Sequence, residues 1–142
     1  MTQAISRSIS VAPLRALSKQ DAATLMKAGM TYRDSHRFQE ARDVFSTVRT
    51  VCPTEAEIGL GSTCFSEGRF AAAAVHYREA LKLNPCNAYA YALLGESQVF
   101  LGEYSAARVS LRRAREIDPK GPYGRLADNL SLFMESLEDR SI

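Results

Sequence analysis

Net charge is close to absent. Against 16 acidic side chains stand 18 basic ones in 142 residues, a formal +2, which is too little for electrostatics alone to select a nucleic acid or an anionic membrane as partner. Long apolar runs are missing as well. None approaches the roughly 18 to 20 residues that a membrane-spanning helix needs, so a soluble, cytoplasmic chain with no membrane partner is expected. Cysteine is scarce and unpaired in pattern: Cys52, Cys64 and Cys86 lie 12 and 22 residues apart with no Cys-x-x-Cys, and His36 and His76 are the only histidines. That excludes a disulfide framework and a zinc site, and reads as three reduced thiols. Phosphate-binding glycine loops, Gly-x-Ser-x-Gly elbows and His-Glu-x-x-His pairs are all lacking, so no enzyme, cofactor or metal is expected. What remains is a chain with 46% apolar residues, only eight glycines and five prolines, enough to build one domain with its own core.

The first 20 residues hold no acidic residue, but four serines with Arg7, Arg15 and Lys19. As a secretory signal this segment fails, because Val11-Ala12-Pro13-Leu14 is short and broken by proline. It reads as a flexible or loosely helical arm over 1–18, with a short helix around Leu14 to Leu17, an organellar presequence being the alternative.

The rest of the chain repeats itself. Gly29, Gly61 and Gly95 each precede an alanine by twelve residues (Ala41, Ala73, Ala107), and each alanine precedes a proline by twelve more (Pro53, Pro85, Pro119). Three residues before each alanine stands an aromatic, Phe38, Phe70 or Tyr104. Four after it comes Phe45, Tyr77 or Leu111, and seven after it Val48, Ala80 or Ala114. Apolar residues at offsets of 0, 4 and 7 make one stripe along a helix. Each copy therefore predicts a helical hairpin whose first helix carries a glycine where its partner crosses. Turn segments around Gly68 and Gly102 break the hairpins, and Asn84-Pro85 and Asp118-Pro119 stop the second helices. Ser18 and Asp21 predict a capped start near Lys19. Beyond a Gly121-Pro122-Tyr123-Gly124 breaker, Leu126, Leu130, Phe133 and Leu137 predict one more amphipathic helix.

These residues resemble the tetratricopeptide repeat, the 34-residue helix-turn-helix unit, over about 100 residues from Ala22 to Gly121. The resemblance implies an all-α, right-handed superhelical α-solenoid of three hairpins, about 22–53, 54–87 and 88–121, closed by a capping helix in 122–142. The first copy departs from the pattern: it is two residues short between Pro53 and Gly61, and His36 stands where the turn glycine falls.

In proteins similar to this one, fixed positions around the glycine line a concave groove. The matching residues are Ala23, Met26, Met30, Arg33 and Asp34, then Glu55, Ile58, Ser62, Phe65 and Ser66, then Tyr89, Ala92, Glu96, Val99 and Phe100. From them the candidate partner-binding set is Met26, Met30, Ile58, Ser62, Phe65, Tyr89, Ala92, Glu96, Val99 and Phe100. Such a wall, rich in Met and aromatic residues, suits an apolar segment of a protein or peptide client. Related co-chaperones that clamp the carboxylates of heat-shock proteins use Lys, Arg and Asn at positions held here by Met26, Met30, Gly59, Tyr89 and Leu93, so that role is not expected.

More narrowly, Ile58-Gly59-Leu60-Gly61 and the layout of leader, three repeats and cap resemble the tetratricopeptide chaperones of bacterial type III secretion. That implies a chaperone for a hydrophobic secreted protein, with a homodimer formed through residues 5 to 25. A generic scaffold joining folded partners is the alternative. A row of Arg108, Arg112 and Arg115 would be the place for nucleic acid, but without interleaved aromatics it reads as a solvated face, and no nucleic-acid partner is expected.

Overall fold

The computed structural model describes residues 16–140. Within them lie seven helices and no strand: α1 (Lys19–Asp34), α2 (Phe38–Val48), α3 (Pro53–Ser66), α4 (Phe70–Leu83), α5 (Ala88–Phe100), α6 (Tyr104–Ile117) and α7 (Pro122–Arg140). The expected helix around Leu14, most of the 1–18 arm and much of the segment read as a dimer contact lie outside the described residues. Ala16 and Leu17 are not helical, and Leu17 packs against the cluster of Ala22, Val48 and Ala56. No helix of the described residues is long and apolar enough to cross a membrane.

Local chemistry sets the helix ends. The Ser18 hydroxyl accepts the Asp21 N–H at 3.0 Å, capping α1. Asn87 does the same for α5, accepting the Ala90 N–H at 2.8 Å. The three hairpin turns each pass through a left-handed residue: Gly68 at φ +79°, Gly102 at +77° and, in the first copy, His36 at +62°. A side chain in that conformation costs about 1 kcal/mol relative to glycine. The shortage of the first copy leaves its connection intact at four residues, as after α4 and α6, and shows instead as a shorter α2, 11 residues against 14 in α4 and α6. Pro85 and Pro119 stand three residues ahead of the next helix, whereas Pro53 is itself the first residue of α3, where a missing N–H leaves no helical bond unmade.

Successive helices pack as neighbours, and α1 also touches α3, α3 touches α5, and α5 touches α7. The result is an inner layer of α1, α3, α5 and α7 backed by α2, α4 and α6. The cap α7 thus takes the place that the first helix of a fourth repeat would occupy.

The sequence periodicity has a direct spatial meaning in the core. Each repeat glycine lies under the large side chain four residues after its alanine. A Cβ on Gly29 would come within 2.7 Å of the Phe45 ring, one on Gly61 within 2.5 Å of the Tyr77 ring, and one on Gly95 within 2.5 Å of the Leu111 side chain. The glycine therefore admits a ring or branched side chain. Gly59 adds a contact that the repeat does not announce: its Cβ would lie 2.5 Å from Cδ1 of the same Phe45 ring, so both α1 and α3 close on that ring.

Two expectations about α7 are corrected. The helix begins at Pro122, inside the stretch read as a breaker. Gly124 is a buried helical residue that lets the Asp118 carbonyl approach, since a Cβ there would lie 2.0 Å from that oxygen. The buried stripe is Ala127, Leu130 and Met134, flanked by Leu126 and Leu137, while Phe133 remains 41% exposed. The arginine row on α6 also has a structural use: Arg108 pairs with Glu138, and Arg115 donates to the Ser131 hydroxyl at 2.8 Å and faces Asp128 at 3.6 Å. Those two cations fasten the cap to the last repeat.

Candidate functional site

Helical periodicity places one stripe of each inner helix on the same wall. From α1 come Met26, Met30 and Arg33; from α3, Glu55, Ile58, Ser62 and Phe65; from α5, Tyr89, Glu96 and Phe100. Between them opens a cleft of about 140 Å³ lined by Met26, Met30, Arg33, Phe45, Glu55, Ile58, Gly59, Ser62 and Tyr89. Met30 keeps 40% of its surface open to water.

Aromatic side chains extend the wall at both ends. At the turn end, Phe65 meets Phe70 at 5.0 Å and Phe100 at 5.4 Å, Phe70 stacks on Phe100 at 5.1 Å, and Phe133 of the cap follows at 5.9 Å. This row borders an open cleft of about 510 Å³ that also reaches Arg33, Asp34 and His36. At the opposite end Tyr89 stacks on Tyr123 at 4.8 Å, beside a cleft of about 570 Å³ reaching Glu55, Ile58, Asn87 and Pro122.

Of the ten residues expected in the groove, Met26, Met30, Ile58, Ser62 and Tyr89 meet in the central cleft, Phe65 and Phe100 form its aromatic end, and Glu96 lies between Tyr89 and Phe100 on α5. Ala92 and Val99 do not reach it. Ala92 is 0% exposed, packed with Leu111, Ala114, Ala127 and Leu130, and Val99 is 2% exposed beside Ala107 and Met134. In both cases α7 covers the face that an end repeat would leave open. Sequence reasoning missed Phe70, Tyr123 and Phe133 as wall residues. Phe70 was visible only as a repeat position at the start of a second helix, and the other two join the wall because of how the cap docks.

The polar groups on the wall are few. Arg33 donates to the Ser62 hydroxyl and to Asp34, both at 2.9 Å, and Ser62 in turn donates to the Gly59 carbonyl at 2.9 Å. Burial raises the Tyr89 hydroxyl above the ordinary tyrosine range, with the Arg33 guanidinium opposing. Burial likewise raises Tyr77, and the Glu96 carboxylate adds to that. Glu96 itself is raised by burial.

Away from the groove, His76 Nδ1 bonds Glu57 Oε2 at 2.8 Å while Arg49 reaches the same carboxylate at 3.1 Å. The Cys64 side chain and then Glu57 raise the His76 imidazole above its usual value of 6.5, against the opposing effect of burial. Folding therefore favours the protonated ring. Its contribution is full below the unfolded value and is lost as pH rises through the folded one. A urea midpoint that falls across that window, and loses this component in His76→Gln, is the expected result; an unchanged profile in the variant would place the titration elsewhere. Among the described residues no group of three or more His, Cys, Asp or Glu side chains could hold a metal ion.

Residues 65–129 match the family model of the tetratricopeptide repeat. No curated protein matches the chain. Among solved structures, PcrH from Pseudomonas aeruginosa is 20% identical with a TM-score of 0.74, covering 90% of this chain and 99% of that one; PcrH is also known in complex with the chaperone binding region of PopD. The Yersinia enterocolitica type III secretion chaperone SycD, in complex with a peptide of the translocator YopD, is 18% identical with a TM-score of 0.73, covering 90% and 100%. The first repeat domain of Spaghetti (RPAP3), bound to an HSP90 peptide, is 22% identical with a TM-score of 0.69, covering 86% and 97%.

Proposed function

Starting from a tetratricopeptide-repeat fold with an apolar inner wall, we propose that the chain is a protein-binding module that holds an extended apolar segment of a partner in its groove, acting in the cytoplasm as a type III secretion chaperone for a hydrophobic secreted protein. The observation that carries this reading is the central cleft, on which Met26, Met30, Ile58 and Tyr89 converge from three helices, with Met30 exposed, Met26 and Tyr89 half-buried and Ile58 buried beneath them. The similarity in fold to PcrH and SycD, both solved with pieces of other proteins bound, supports the choice of client. So do the residues at the places where a carboxylate clamp needs cations: Met26, Met30, Gly59 and Tyr89 on the cleft and Leu93 in the core behind it bring no charge.

The energetics are adequate. Each apolar side chain that leaves water for such a cleft contributes about 2 kcal/mol, so several anchors together offset the loss of translational and rotational freedom. They also remove from water the surface through which the client would otherwise aggregate.

Co-expression with a hydrophobic secreted protein encoded beside this one tests the reading. Soluble complex is expected from the parent chain and at least about 100-fold weaker capture from Met30→Asp or Tyr89→Asp, with helical circular dichroism unchanged. Undiminished capture by both variants would exclude the groove and favour an adaptor that binds through another face.

A further inference from the structure

The slot immediately after each repeat glycine holds Met30, Ser62 and Glu96, one residue per inner helix. Met30 contributes apolar surface. Ser62 is taken up by Arg33, whose guanidinium is also held by Asp34. Glu96 differs from both: half-buried, it has no hydrogen bond or ion pair among the described residues. It stands seven residues after Tyr89 and four before Phe100, on the stripe of α5 that faces the groove, and its charge acts on the Tyr77 and Tyr89 hydroxyls.

A carboxylate withdrawn from water with no counter-charge is costly to keep ionised, and burial indeed pushes Glu96 upward. Among the described residues Arg33 is the sole cation lining the central cleft, and it is already engaged with Ser62 and Asp34. Glu55, the acid that lines this cleft, likewise has no ion pair among the described residues, and Glu96 stands beyond it on α5, seven residues after the cleft residue Tyr89. Among the described residues the wall is therefore apolar with an uncompensated negative charge. Tyr89 and Phe100 flank Glu96 along α5; each has one ring face stacked, on Tyr123 and Phe70 respectively, and the surface they leave, with Phe100 47% exposed, suits the aliphatic stem of a long basic side chain.

Given a groove that takes an apolar segment, we propose that the segment it prefers also carries a lysine or arginine, which seats on Glu96 between Tyr89 and Phe100. The contact assigns register and selectivity to the groove: the apolar cleft admits many sequences, and an anion that only a cation can satisfy discriminates among them.

Selection from a random 12-residue peptide library on the full chain tests both layers. Enriched peptides are expected to be apolar with a basic residue at a fixed spacing. On Glu96→Gln the apolar preference should persist and the basic one vanish. A synthetic copy of an enriched peptide should lose about 10-fold in affinity for Glu96→Gln, and as much for the parent chain when its basic residue is replaced by glutamate. Binding of that glutamate-containing peptide should recover on Glu96→Lys. Apolar peptides that need Met30 but show no basic preference, or that bind Glu96→Gln as tightly as the parent, would overturn this inference and leave the groove standing. Peptides indifferent to Met30→Asp, or no enrichment at all, would overturn the groove reading and this inference with it.

Discussion

Gly61→Leu is expected to lower the melting temperature by roughly 10 °C, corresponding to about 3 kcal/mol in a chain of this size. The Cβ alone would stand 2.5 Å from Cε1 of Tyr77, a ring that is 1% exposed and surrounded by Ala73, Ala74, Ala80 and Leu94. The ring cannot retreat into that packing, so α3 and α4 must separate. A double variant decides whether this contact is the cause. Tyr77→Ala alone should cost about 3–5 kcal/mol through the cavity it leaves, yet combined with Gly61→Leu the loss should fall well short of the sum, because the new side chain fills the vacated space. Additive losses, or a silent Gly61→Leu, would show that helix packing in this repeat does not turn on the glycine. Thermal unfolding followed by circular dichroism reads both outcomes.

Two adjacent residues of the cap supply the second test. Met134 is 2% exposed, closed in with Val99 and Ala107, whereas Phe133 is 41% exposed and meets the Phe100 ring at a tilt, 5.9 Å between centroids. Met134→Ala should cost about 2–5 kcal/mol and Phe133→Ala no more than about 1 kcal/mol. Periodicity along α7 ranks the two the other way, since it places Phe133 in the buried stripe with Leu126, Leu130 and Leu137. Comparable losses at the two positions, or the larger one at Phe133, would mean that the helix docks rotated from the orientation described. Because that rotation also covers Ala92 and Val99, the same measurement checks how far the groove extends.

The hairpins were legible because their determinants are local. The offsets of glycine, aromatic, alanine and proline follow from helical periodicity and from backbone restrictions that act within a few residues. The Ser18 cap, the stops before Pro85 and Pro119, and the turns at Gly68 and Gly102 belong to the same class. His36 is also local, and its place at the turn was evident from the register, although only the backbone reveals that a histidine takes up the glycine conformation there. Most of the groove followed from the same register, including the meeting of Met26, Met30, Ile58, Ser62 and Tyr89.

The sequence by itself thus determined how many hairpins there are and which face of α1 and α3 looks inward. Only the tertiary structure decided the fate of α5, since an inward stripe is either wall or core according to whether another helix lies on it. It also decided that Phe45 is met by Gly29 and Gly59 from different repeats, that Arg108 and Arg115 hold α7, and that Glu96 makes no hydrogen bond or ion pair among the described residues. The contacts of Phe45, Arg108 and Arg115 join residues on different helices that are far apart along the chain, and what lies opposite Glu96 is set by other helices too, neither of which a period of 3.6 residues along a single helix encodes.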